Sequence, residues 1–181
     1  VLVPPAPLNA SVVGQNEYPQ WSPDGRFVAY VSYPVPRRAG AQQIVIRPVD
    51  AGESRVLNPE MNYVGPIRWT ADSRALITDG QDAQNRNGLY RIVALTGSMT
   101  PLRRVDRAAG ILPIQNKSDV SPDGRTIFLT IRQPNGTGGI AFALVAFDLA
   151  SRTEREIRRF TNLTALTIAY PSPDGSQLVF A

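Results

Sequence analysis

Apolar positions in this chain fall in short consecutive runs, at neither helical nor alternating spacing. FVAYV (27–31), ALIT (75–78), TIFLTI (126–131), IAFALVAF (140–147) and QLVF (177–180) carry them on successive residues. An antiparallel strand with one wet face alternates apolar and polar side chains, so such runs predict strands covered on both faces. Polar clusters rich in Gly, Pro, Asn, Asp and Ser separate the runs and mark turns. With 16 Pro and 14 Gly among 181 residues, long helices are not expected.

The runs belong to a repeat. WSPDGRFVAYVS (21–32), WTADSRALITDG (69–80), VSPDGRTIFLTI (120–131) and PSPDGSQLVFA (171–181) are four copies of one pattern. Their aspartates, Asp24, Asp72, Asp123 and Asp174, lie 48, 51 and 51 residues apart, a period that means stacked small units. In Ser22-Pro23-Asp24-Gly25, Ser121-Pro122-Asp123-Gly124 and Ser172-Pro173-Asp174-Gly175, Pro presets a type I turn and Gly accepts the left-handed residue after it. This is the three-residue hairpin with a glycine bulge. The second copy has Ala71 for Pro and Ser73 for Gly, so about 1–2 kcal/mol of left-handed strain is expected at Ser73, making this the loosest turn.

Each hairpin is followed by a polar loop and a second strand pair. The pairs are 43–49 with 54–57, 89–95 with 99–105, and 140–149 with 154–160, giving four antiparallel strands per unit. The outermost strands SRVL (54–57) and EREIRRF (154–160) are poorer in apolar residues and carry charge, as edges do. Four-stranded sheets covered on both faces by like neighbours describe an all-β propeller. A two-sheet sandwich would expose alternate residues and has no use for a period near fifty. Trp21 and Trp69, placed just before their turns, are expected to pack between blades.

WSPDGRFVAY and VSPDGRTIFL resemble the WD-like repeat of TolB-type propellers, which is similar to repeats in the propeller domains of prolyl oligopeptidase and dipeptidyl peptidase relatives. QIVIRPVDAGESRVL is similar to that family's next two strands. The resemblance spans residues 21–181 and implies an extracytoplasmic binding module. It also implies a ring of about six to eight blades, of which this chain supplies about three and a half. The expected units are an extension or edge strand at 1–16, blades at about 17–58, 64–105 and 116–160, and a partial blade at 165–181. A fragment of a longer protein is the expected explanation, with self-association through uncovered blade faces as the other.

Composition removes several chemistries. Cys and His are both absent, so a disulfide framework, the usual zinc site, a Cys nucleophile and a Ser/His/Asp triad are excluded within these residues. No apolar run reaches the 18 or so residues of a membrane-spanning helix. The net charge of +4 comes from 18 Arg and one Lys against 15 acids, with acids interrupting both basic clusters, so no nucleic-acid partner is expected. No cofactor and no catalytic residue are assigned.

The chemistry that remains sits in the loops. In the resembling family the SPDG turns occupy one rim and the longer loops the other, where partners dock. The long loops here are 33–42, 79–88 and 132–139; they carry Arg37, Arg38, Arg86 and Arg132, whose guanidiniums suit a carboxylate or an acidic peptide. Asp79, Asp82, Asn85 and Asn87 offer oxygens for calcium, but their spacing fails an EF-type loop and no metal is assigned. The repeated aspartates are read as turn-forming, and Asn9, Asn116, Asn135 and Asn162 head glycosylation sequons. The expected function is noncatalytic binding of a protein or peptide. The alternative is the substrate-gating propeller of a prolyl-oligopeptidase-like serine hydrolase whose catalytic domain lies elsewhere.

Overall fold

The computed structural model describes residues 15–34, 41–105, 112–161 and 169–180. Within them every regular element is a strand, and each sheet is an antiparallel meander. Blade one comprises β1 (Gln15–Trp21), β2 (Phe27–Tyr33), β3 (Gln43–Pro48) and β4 (Arg55–Leu57). Blade two comprises β5 (Met61–Trp69), β6 (Ala75–Asp82), β7 (Asn87–Val93) and β8 (Met99–Arg104). Blade three comprises β9 (Leu112–Val120), β10 (Thr126–Pro134), β11 (Ile140–Asp148) and β12 (Glu154–Phe160). A fourth sheet contains β13 (Ala169–Pro171) and β14 (Leu178–Phe180). This is a partial, unclosed β-propeller.

The first strands β1, β5, β9 and β13 contact one another in succession, which places them innermost, and β2, β6 and β10 each touch the first strand of the next blade. β5 and β9 begin earlier than the residue pattern suggests. Register shifts between Val64 and Ile67 mark a bulge at Gly65 and Pro66, where proline cannot donate to the ladder, and this hides the start of β5. The expected loop at 79–88 is mostly strand: pairing continues to Gln81 opposite Asn87, leaving only 83–86 to turn. Likewise β10 runs to Pro134, leaving 135–139.

All four hairpin turns share one set of bonds. The amide of Gly25, Ser73, Gly124 or Gly175 donates back to the carbonyl three residues earlier, at 2.8–2.9 Å. All four residues are left-handed, with φ of 70°, 56°, 68° and 72°. The Ser73 turn closes like the others and gains a bond they lack, because the Asp24 amide donates to Ser73 Oγ at 3.2 Å. The expected loosening is therefore offset by a tie to blade one.

The first two inter-blade seams are filled differently. In the first, Ala29, Val31, Ile44, Ile46 and Leu57 of blade one meet Val64, Ile67, Trp69, Leu76 and Tyr90 of blade two, all buried. Trp69 plugs this seam and donates from Nε1 to the Gln20 carbonyl at 3.1 Å. Trp21 does not pack between blades; it is 60% exposed, since its repeat position faces backward and the described residues include no sheet on that side. In the second seam the buried set shrinks to Ile77, Leu89, Ile127 and Phe147, and Val120 occupies the repeat position of Trp69. Arginines strap it instead: Arg68 to Asp119 on the inner strands at 3.0 Å, and Arg103 to Glu154 farther out through Nε at 2.5 Å and Nη2 at 3.2 Å.

A Cβ on Gly124 would lie 2.4 Å from Ala71 Cβ, whereas one on Gly25 meets nothing within 4 Å. Valine at either position costs about 1–2 kcal/mol for the left-handed backbone, and at Gly124 a further ~1–3 kcal/mol for overpacking the seam. Urea unfolding should therefore rank Gly124→Val well below Gly25→Val; equal midpoints would show that the turns do not bear on inter-blade packing.

Candidate functional site

At the turn rim the repeated carboxylates are spent locally. Asp24 Oδ1 accepts from Ser22 Oγ at 2.6 Å and from the Arg26 amide at 3.0 Å. Asp72 does the same with Thr70 Oγ1 and the Arg74 amide, Asp123 with Ser121 Oγ and the Arg125 amide, and Asp174 with Ser172 Oγ and Ser176. The hydroxyl that donates to each carboxylate also accepts the amide five residues after it, from Phe27, Ala75, Thr126 or Gln177. These bonds favour the ionised form, the hydroxyl donor most, so all four carboxyls are held below their ordinary range, Asp174 at about 2. A carboxylate fixed in this way is a poor general base and a good turn clamp.

At the opposite rim lie the connections β2–β3, β6–β7 and β10–β11. Arg86 is turned onto its own loop: Nε donates to Asp82 Oδ2 at 2.8 Å and Nη2 to Gln84 Oε1 at 2.6 Å. Asp82 is buried and also accepts the Gln84 and Arg86 amides. Burial pushes its carboxyl up, but the Arg86 amide and guanidinium outweigh that, and the net direction is down. Asp79 and Asn87 are buried in strand, and Asn85 is left-handed and accepts from Asn62, so these oxygens do not form a metal cup. Arg132 lies half-buried on β10 opposite Phe142. Arg37 and Arg38 lie outside the described residues. Asn135 Oδ1 gathers the Thr137 and Gly139 amides, closing its loop on itself. Asn9, Asn162 and the Asn116 side chain lie outside the described residues.

Residue-by-residue reading missed a cleft of about 660 Å³ in the second seam, on the turn rim. Arg91 of β7 and Arg125 of the third turn enter it from opposite blades, over Ile77, Leu102 and Leu149. Arg91 pairs across to Ile77 as Ile46 pairs to Ala29 one repeat earlier. The signal was present in the repeat register: an arginine occupies the place of an isoleucine buried in the first seam.

The fold therefore defines a β-propeller segment of three four-stranded blades and the hairpin of a fourth. No family model matches the sequence, and no curated protein matches it. Among solved structures the chain is similar to TolB from Acinetobacter baumannii, at 18% identity and a TM-score of 0.63, covering 92% of this chain and 37% of that one. It is similar to the tricorn protease at 13% identity and 0.66, covering 92% and 15%. It is also similar to the β-propeller domain of the Trilobed protease from Pyrococcus furiosus at 14% and 0.53, covering 87% and 45%. The chain thus spans less than half the length of each, and the likeness establishes the fold, which matches the TolB-type resemblance read from the repeats.

The turn carboxyls set an acid limit. Their folded values lie below the ordinary value of about 3.9, so their contribution is complete above that pH and is lost as pH falls through the depressed folded values. Thermal unfolding followed by circular dichroism should be level from neutral pH to about 4 and drop toward pH 2, where Asp174 is among the carboxyls still losing its charge. Asp174→Asn should flatten part of that drop; an unchanged acid limb would mean that this turn opens without affecting the fold.

Proposed function

We propose that this chain is a noncatalytic protein- or peptide-binding propeller module, resembling TolB-type propellers and working outside the cytoplasm. The observation that carries the reading is the division of charge. The repeated aspartates are engaged by their own turns, and arginines such as Arg26, Arg74 and Arg125 stand exposed at the blade ends beside the fewer acids Asp50, Glu53 and Glu60. Guanidiniums in loops recognise carboxylates through paired hydrogen bonds. On the long-loop rim Arg86 is committed to Asp82 and Gln84, so Arg132, together with Arg37 and Arg38 of the β2–β3 connection in sequence, carries the proposal. Among the described residues no helix is long and apolar enough to cross a membrane.

A second reading makes the chain the accessory propeller of a serine hydrolase. It is favoured by likeness to an acylaminoacyl peptidase, at 12% identity and a TM-score of 0.63, of which this chain covers 28%. Sequence encoded beyond Ala181 separates the two: a GxSxG nucleophile elbow supports the hydrolase, further SPDG repeats the binding module. Exposed apolar residues on the end sheets, Trp21 on one side and Tyr170 with Val179 on the other, also favour self-association of this chain.

Reversing Arg37, Arg38 and Arg132 together to glutamate should abolish binding to immobilised poly-glutamate, and the difference from the parent should shrink in high salt because exposed charges are screened. Unchanged binding by the triple variant would move the partner surface off this rim. Light scattering at micromolar concentration should show a species larger than the 19.7 kDa chain; a compact monomer would remove self-association.

A further inference from the structure

We propose that the open edge of β14, together with a groove on the adjoining face of blade three, takes an extended segment of a partner polypeptide as an added β-strand. The inference rests on the peptide-binding reading above and gives it a mode, at a place away from the long-loop arginines. Three observations carry it.

The first is the edge. β2, β6 and β10, the strands that follow the first three turns, are each paired on both sides. β14 follows the fourth turn and is paired only with β13 among the described residues, so its other side presents open backbone donors and acceptors. Such an edge binds an extended segment through its main chain, with alternate side chains seated in pockets.

The second is the groove. Ile127 and Phe147 face blade two, so Phe128 and Ala146, paired across β10 and β11, face the fourth sheet. A groove of about 320 Å³ opens over them, bordered by Asp148, Thr153 and Arg155. The equivalent pair in blade one, Ala29 and Ile46, is buried. Its cover includes Tyr90 and Ile92 of β7, the third strand of blade two, and Ala94 just beyond. A third strand laid along β14 holds the corresponding place over Phe128.

The third is Arg155. It pairs with Ala146 as Arg55 pairs with Ile46. Arg55 Nη1 crosses the first seam and donates to the Ala94 carbonyl at 2.9 Å, tying down the strand that covers its blade. Arg155 holds the same register exposed, with no hydrogen bond or ion pair to the described residues, and is placed to serve a visiting strand in that way. Charge in the groove is balanced, because Asp148 stands beside Arg155 while bonded within its own turn. Recognition is therefore of main chain and apolar side chains, with no preference for a charged segment.

The test is fluorescence anisotropy with a labelled, end-blocked peptide copying residues 87–95 of this chain, NGLYRIVAL, titrated with the full chain. Arg155→Gln should weaken it by about tenfold, the scale of a lost hydrogen bond to a charged group, with thermal unfolding unchanged. Phe128→Ser, checked by the same unfolding, should weaken it further, as should Tyr90→Asp with Ile92→Asp in the peptide. Two further peptides carry N-methyl groups on alternate amides, one in each register. A strand pairs through alternate residues, so one of the two should lose binding and the other keep it; equal effects would overturn strand addition. Full binding by Arg155→Gln and Phe128→Ser would overturn the groove. Absence of binding by the parent chain overturns the proposal whether the edge is empty or held by a second copy, while capture of poly-glutamate on the long-loop rim would still be read separately.

Discussion

A sheet that is apolar on both faces is stable only when something covers both, and every feature of this chain answers to that constraint. Strands such as IAFALVAF cannot face water on either side, so each blade is completed by its neighbours. The hairpin turns serve the same end. At Gly124 the missing Cβ lets the third turn sit directly against Ala71 of the second, and Gly175 lies at ordinary contact distance from Pro122. The carboxylates that look like repeated chemistry are the clamps that hold this geometry.

The two seams show that like units need not be joined alike. The first is closed by apolar fill, with Trp69 and Tyr90 as its large side chains, and full burial of such a side chain contributes about 1.5–3 kcal/mol. The second has a smaller core and arginine straps across it. Ion pairs that keep some contact with water, as both straps do, contribute little, about 0–1 kcal/mol at the median for exposed pairs, so straps do not replace fill. What they supply is registry: Arg68 fixes the inner strands and Arg103 the outer ones.

Strand type, strand order and the turns were legible in the sequence because they are local, set by consecutive apolar residues and by the Ser-Pro-Asp-Gly spacing. What could not be read depends on neighbours that no local pattern names. Trp21 and Trp69 sit in the same motif, yet one is exposed and the other plugs a seam, because burial at that position is decided by the preceding blade. Asp79, Asp82 and Asn87 read as a polar loop but are buried in paired strand, where Asp82 is met by Arg86 and Asp79 Oδ1 accepts no hydrogen bond among the described residues. Arg91 was invisible for a different reason. A single arginine in a strand means nothing until the repeats are superposed and its counterpart is seen to be a buried isoleucine.

The unequal seams also bear on how the molecule comes apart. Blades one and two share one continuous core, sealed at the long-loop end by the Gln42 side chain accepting the Val64 amide at 2.7 Å, so neither can open without exposing the other. Blade three shares far less with them. Free-energy differences of this kind divide a fold into cooperative units of unequal stability. Of the first two joints the second is then the weaker, and blades one and two are the pair that separates last.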